Sequence, residues 1–256
     1  MREKILKELN RIEREEKVKI LYAVESGSRA WGFASKDSDY DVRFIYIHPI
    51  KWYLSVDQRR DVIEFPITDK LDISGWDIRK TLELFRKSNP SLLEWLSSPI
   101  IYLHKSSVVE SLRELSTDYF SVKSTIYHYL NMAKENYHKY LVDNQIEIKK
   151  YFYVLRSLLA CQWIEKNQSI APMEFEKLLA AELAKQSLND EIENLLFRKR
   201  SGEKLAIEGR VDIINDFIEE RLKYYQEYVK GIKDISPIDY DRLNKLFRTT
   251  LEEVWR

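Results

Sequence analysis

Apolar and polar positions change period repeatedly over the first hundred residues and then settle into a single rhythm. Ile5, Leu6, Leu9 and Ile12 fall on one side of a helix over residues 2–16. Val18, Ile20, Leu21, Ala23 and Val24 then form an apolar run, the pattern of a strand covered on both faces. It stops at Glu25-Ser26-Gly27-Ser28, and a second strand runs from Asp39 to Ile47 until His48-Pro49 ends it. Segments around Asp61 to Phe65 and Lys70 to Trp76 read as a hairpin turning over residues 66–69. A helix follows from Asp77 to Arg86. Asn89-Pro90 is a cap and first-turn proline for a helix reaching Leu96, and Pro99 to Leu103 is a last strand.

Beyond Lys105 the spacing is helical almost throughout: Val108 to Leu115, Tyr119 to Leu141, Ile146 to Lys166, Pro172 to Leu183, Glu191 to Arg200, Val211 to Val229, and Asp239 to the final Trp255-Arg256. The pattern predicts an α+β fold in two parts. Residues 1–105 form a mixed sheet with flanking helices, and residues 106–256 an all-α helical bundle.

Composition narrows the class without naming a partner. Lys plus Arg and Asp plus Glu both number 42, so nucleic-acid affinity would need a local basic patch. A single cysteine, Cys161, excludes an internal disulfide and reads as a small core residue. With no apolar run near the roughly 20 residues that cross a bilayer and an amphipathic, charged start, the expectation is a cytoplasmic protein with no membrane contact.

The chemistry concentrates in ESGSRAWGFASKDSDYDVRFIYI. Gly27 permits a tight turn after a buried strand, and Ser28 at the head of a short helix offers a hydroxyl beside free backbone N–H groups, a place for phosphate. On the next strand Asp39, Asp41 and Arg43 share one face, while Tyr40, Val42 and Phe44 share the other. Two neighbouring carboxylates repel unless a cation joins them, and magnesium takes oxygen ligands and completes its shell with water and phosphates. A second ion about 4 Å away would help an in-line displacement but needs a third acid. Asp72, between Leu71 and Ile73, and Glu64, between Ile63 and Phe65, both qualify. Arg43 would balance the acids or touch phosphate. Against this, Asp37-Ser38-Asp39 alone could be a plain turn.

These residues resemble the DNA polymerase beta nucleotidyltransferase superfamily. The wording GSRAWGFASKDSDYDVRFIYIHP with LDISGWDIRKTLELFRKSNPSLLEWLSSPIIY is similar to the branch associated with RNA ligases and RNA repair. The resemblance implies that Gly27 and Ser28 bind a nucleoside triphosphate. It gives Asp39, Asp41 and Asp72 to Mg²⁺, two ions or Mn²⁺ in their place, and favours Asp72 over Glu64 as third acid and general base. A nucleoside monophosphate would pass to an unidentified acceptor, RNA among the candidates, with loss of pyrophosphate. The acceptor, the nucleotide and the oligomeric state lie beyond the resemblance.

In the helical half, KKYFYVLRSLLACQW sets Lys149, Tyr153 and Arg156 on one face, the cations suited to phosphates and the ring to a base. Two other readings stay open. One is a non-catalytic nucleotide-binding or sensing protein. The other is an RNA-binding accessory of a repair system that uses Arg198, Lys199, Arg200, Lys204 and Arg210.

Overall fold

The computed structural model describes residues 1–142, 146–182, 186–202, 207–233 and 239–256. Along the chain the elements are α1 (Arg2–Glu15), β1 (Lys19–Glu25), α2 (Gly27–Ala30), β2 (Tyr40–Ile47), α3 (Ile50–Tyr53), β3 (Val62–Glu64), β4 (Leu71–Asp77), α4 (Ile78–Arg86), α5 (Pro90–Ser97), β5 (Ile101–His104) and α6 (Val108–Tyr119). They continue with α7 (Val122–Tyr140), β6 (Ile146–Glu147), α8 (Ile148–Asn167), α9 (Phe175–Glu182), α10 (Gln186–Ser201), β7 (Ile207–Glu208), α11 (Asp212–Gly231) and α12 (Asp241–Val254). The architecture is α+β, with one five-stranded mixed sheet and many helices, as the periodicity predicts.

The sheet runs β3-β4-β2-β1-β5. Only β2 and β4 pair in parallel; the pairs β1 with β2, β1 with β5 and β3 with β4 are antiparallel. Side-chain alternation divides its two faces. Val42, Phe44 and Tyr46 join Ile5, Leu9 and Ile12 of α1 in one core. Ile45 and Ile47 join Ile78, Leu82, Phe85 and Trp95 in the other. Gly75 on β4 belongs to this packing, since a Cβ there would fall 2.2 Å from the Phe44 ring. Local chemistry starts the helices where the sequence places them. The Asp77 carboxylate accepts from the Arg79 N–H at 2.8 Å to cap α4, and the Asn89 side chain accepts from the Leu92 N–H at 3.2 Å ahead of Pro90.

The chain forms two compact units whose borders differ from a single cut near Lys105. One holds residues 1–30, 39–119 and 236–256; the other holds residues 31–38 and 120–235. Periodicity reveals that α6 and α12 are amphipathic but not what they cover. In the structure Val108, Val109 and Leu112 of α6 and Leu243 and Leu251 of α12 complete the core that contains Ile78 and Phe85. Residues 31–38 go the other way. Phe33 is fully buried in the helical unit, its ring 5.1 Å from that of Phe152 and 5.6 Å from that of Phe175, and the Phe175 N–H donates to the Trp31 carbonyl at 2.9 Å. The helical unit is built around α8, which is buried on most of its circumference, Cys161 included.

Candidate active site

Glu25 ends β1, and the chain reverses at Ser26-Gly27 beside β2, where the Ser26 N–H donates to the Asp41 carbonyl at 2.8 Å. Gly27 has φ +56°, the left-handed region, and a Cβ on it would sit 2.0 Å from Asp41 Oδ2. The turn therefore rests directly on the acid. Ser28, half-buried, follows as the second residue of the one-turn α2.

The parallel register of β2 and β4 sets Asp41 opposite Asp72. Arg43, two residues along the same face, spans the pair: its Nη2 donates to Asp72 Oδ2 at 2.7 Å and to Asp41 Oδ1 at 3.4 Å. Its Nη1 donates to the carbonyls of Val42 at 3.1 Å and Asp72 at 3.2 Å. Burial pushes the Asp41 carboxyl above the usual range; Arg43 pulls it back, and the negative charges of Asp72 and Asp39 push it up again. Asp39 is exposed, one residue before β2, and its carbonyl accepts from Arg29 Nε at 3.0 Å. The Arg29 guanidinium also lies 3.7 Å from the centre of the Tyr40 ring, which braces the strand's first residues. Glu64, by contrast, lies on β3 opposite Ser74, mostly exposed and paired with Arg60. The sheet brings Asp72, not Glu64, to Asp41.

Beneath the acids lies a group the sequence reading missed. Glu25 is fully buried, accepts from the Asp41 N–H at 2.8 Å and takes the Tyr102 hydroxyl on its other oxygen. Burial, the largest influence, raises its carboxyl. The available signal was an acid closing an otherwise apolar strand immediately before the glycine turn.

The residues proposed on α8 fare differently. Arg156 is 2% exposed, its Nε and Nη2 donate to the Met173 carbonyl at 3.3 and 3.2 Å, and its guanidinium lies 4.8 Å from the centre of the Trp31 ring. The polar face expected to bind nucleotide through Lys149, Tyr153 and Arg156 is not one open face: α8 is the central helix of its unit, and Arg156 points into that unit's core. Tyr153 packs edge-on to Trp31 at 6.1 Å, and Lys149 pairs with Glu147 at 2.9 Å. Of the basic residues named for RNA, Arg200 pairs with Glu176, and Arg210 pairs with Asp212 and Glu219. Lys204, like the helix end expected at Leu183, lies outside the described residues.

Among the described residues no three His, Cys, Asp or Glu side chains form a ready metal-holding group. Asp41 and Asp72 are two oxygen donors whose mutual repulsion is answered by a single guanidinium, and that donor set fits a hard divalent cation. No helix among the described residues is long and apolar enough to cross a membrane.

A glycine-serine turn laid on one of two aspartates that face each other across parallel strands agrees with the resemblance to nucleotidyltransferases of the DNA polymerase beta type. The profile of the RNA repair pathway DNA polymerase beta family matches residues 1–249, and the chain belongs to that family. It is 54% identical over its whole length to the uncharacterized protein YcgL of Bacillus subtilis (strain 168), 98% of which is covered. It is also similar to the crystal structure of a nucleotidyltransferase-like protein from Exiguobacterium sibiricum 255-15. That match has 13% identity and a TM-score of 0.30 and covers 98% of this chain and 81% of the other, a likeness too slight to carry an argument.

Proposed function

We propose that the protein is a metal-dependent nucleotidyltransferase that moves a nucleoside monophosphate from a nucleoside triphosphate to a hydroxyl or phosphate acceptor, with RNA the first candidate. The observation that carries this reading is the contact between the Gly27 turn and Asp41, with Asp72 in register beside it. A phosphate chain lying along the Gly27-Ser28 turn would have the two carboxylates at its side.

Asp41 and Asp72 would hold Mg²⁺; Asp39, exposed just before β2 and not gathered with them here, would complete the set by turning toward the ion. The ion would offset the triphosphate's charge and lower the pKa of an acceptor hydroxyl. Asp72 takes the acceptor proton as the oxygen bonds to the α-phosphorus; the α–β P–O bond breaks, and pyrophosphate leaves with the electron pair. Arg43, which now balances both acids, would turn part of its charge to the phosphates once a cation takes over that balance. Glu25 holds the Asp41 backbone in place from below. Lys149, Tyr153 and Arg156 enter no step.

The test is incubation with each of the four α-labelled nucleoside triphosphates, Mg²⁺ and a total-RNA or extract acceptor pool. Transferred label with pyrophosphate release is expected, reduced on the order of a thousandfold in Asp41→Ala. No transfer with any triphosphate, despite measurable nucleotide binding, would leave a sensing protein instead.

A further inference from the structure

β2 carries a second distinctive place at its other end. Five residues beyond Asp41, roughly 17 Å along the strand and on the opposite face, Tyr46 is fully buried, yet its hydroxyl has no hydrogen-bond partner. Such a group is unfavourable to bury unless something answers it. The Tyr46 side chain lines a cavity of about 280 Å³ whose walls also include Glu16, His48, Trp52, Arg59, Arg60 and Glu64.

The other walls are specific in kind. The His48 and Trp52 rings stack face to face, centroids 4.0 Å apart and planes 7° from parallel. Burial, with Arg59 adding to it, holds the imidazole down at about 4, so the stack is neutral at physiological pH. α3 is pinned in place, because the Tyr53 hydroxyl accepts from the His48 N–H at 3.0 Å and donates to Asp77 Oδ2 at 2.7 Å. The Arg59 guanidinium lies 5.7 Å from the centre of the Trp52 ring and pairs with Asp57 at 2.7 Å, and Arg60, paired with Glu64, lines the same cavity.

Aromatic stacking surface, an unanswered hydroxyl, two carboxylates, one of them held by Arg60, and two guanidinium groups suit a flat ring with a polar edge and an attached anion. A bare phosphate would leave the stack unused, and an apolar ligand would leave the hydroxyl unanswered. The volume lies just under the roughly 300 Å³ at which drug-sized sites begin, room for one ring system and not for a dinucleotide.

We propose that this cavity is a nucleobase subsite, distinct from the acids: one base packs against the His48–Trp52 pair and bonds the Tyr46 hydroxyl, while its phosphate meets Arg59 and Arg60. A free nucleotide and a single strand both present such a base, and the measurement separates the two sources. Because the subsite lies on the opposite face from Asp41, it does not depend on nucleotidyl transfer taking place.

The experiment is a fluorescence titration, without divalent metal, of the full chain into 2-aminopurine riboside 5′-monophosphate and into a single-stranded RNA 10-mer bearing one 2-aminopurine. Saturable quenching is expected. Trp52→Ala should weaken it on the order of tenfold, since a stacked base contributes about 1–3 kcal/mol. Tyr46→Phe, which removes only a hydroxyl without a partner and so keeps the fold at least as stable, should weaken it severalfold. Asp41→Ala should leave it unchanged. Equal quenching by both probes assigns the site to nucleotides, and quenching by the 10-mer alone assigns it to RNA. Wild-type titration curves in both Trp52→Ala and Tyr46→Phe would overturn the proposal, as would loss of quenching in Asp41→Ala alone.

Discussion

The two ends of β2 use one strand in opposite ways. At its start, on one face, the side chains are charged and answered: Asp41 and Asp72 share Arg43, and the Asp41 N–H is held by Glu25. At its end, on the other face, stacked rings stand among paired charges, and one hydroxyl has no partner. Period-two alternation lets a central strand build two unlike sites without either disturbing the other's packing. On the readings proposed above, the charged end would carry the reactive chemistry and the aromatic end recognition alone.

The sharpest way to test that separation is Asp72→Asn. Loss of the proposed base should lower label transfer about 10²–10⁴-fold, while quenching at the aromatic end stays at the wild-type level. Comparable transfer in the variant would remove Asp72 from the chemistry.

Gly27→Ala comes next. A left-handed φ costs a non-glycine residue about 1–3 kcal/mol, and here the new Cβ also collides with the Asp41 carboxylate. Denaturant unfolding should show a loss of that size together with reduced transfer; a fully stable, fully active variant would show that the turn does not bear on the acid.

The last effect, on stability alone, concerns Asp77, which supports the aromatic end through Tyr53. Burial raises its carboxyl to about 6, against the capping N–H and the tyrosine hydroxyl that pull it down. The folded state therefore keeps a proton that the unfolded chain releases near pH 4. Its contribution is whole below that point and is lost as pH rises through about 6. Relative to Asp77→Asn, the wild type should lose up to about 2–3 kcal/mol of unfolding free energy between pH 4 and pH 7. A difference independent of pH would mean that Asp77 titrates as an ordinary carboxylate.

Much of this molecule follows from local rules. Alternation alone puts Asp39, Asp41 and Arg43 on one face of β2, the glycine before Ser28 marks the turn, and Asp77 and Asn89-Pro90 mark helix starts that are found where expected. Such features depend on neighbours one to four residues apart, so one sequence contains them. What only the tertiary structure decided depends on partners far along the chain. The parallel register of β2 and β4 put Asp72, and not Glu64, opposite Asp41, since either acid fits an amphipathic strand until the pairing is known. Phe33 and its neighbours joined the helical unit, and α6 and α12 the sheet, because an apolar face does not state which core will cover it. Arg156 has the spacing of a surface residue yet is buried, because α8 is surrounded on most sides by its own unit. The cavity at Tyr46 gathers residues from α1 to β3, and no spacing in the sequence announces it, since a cavity is a property of packed surfaces.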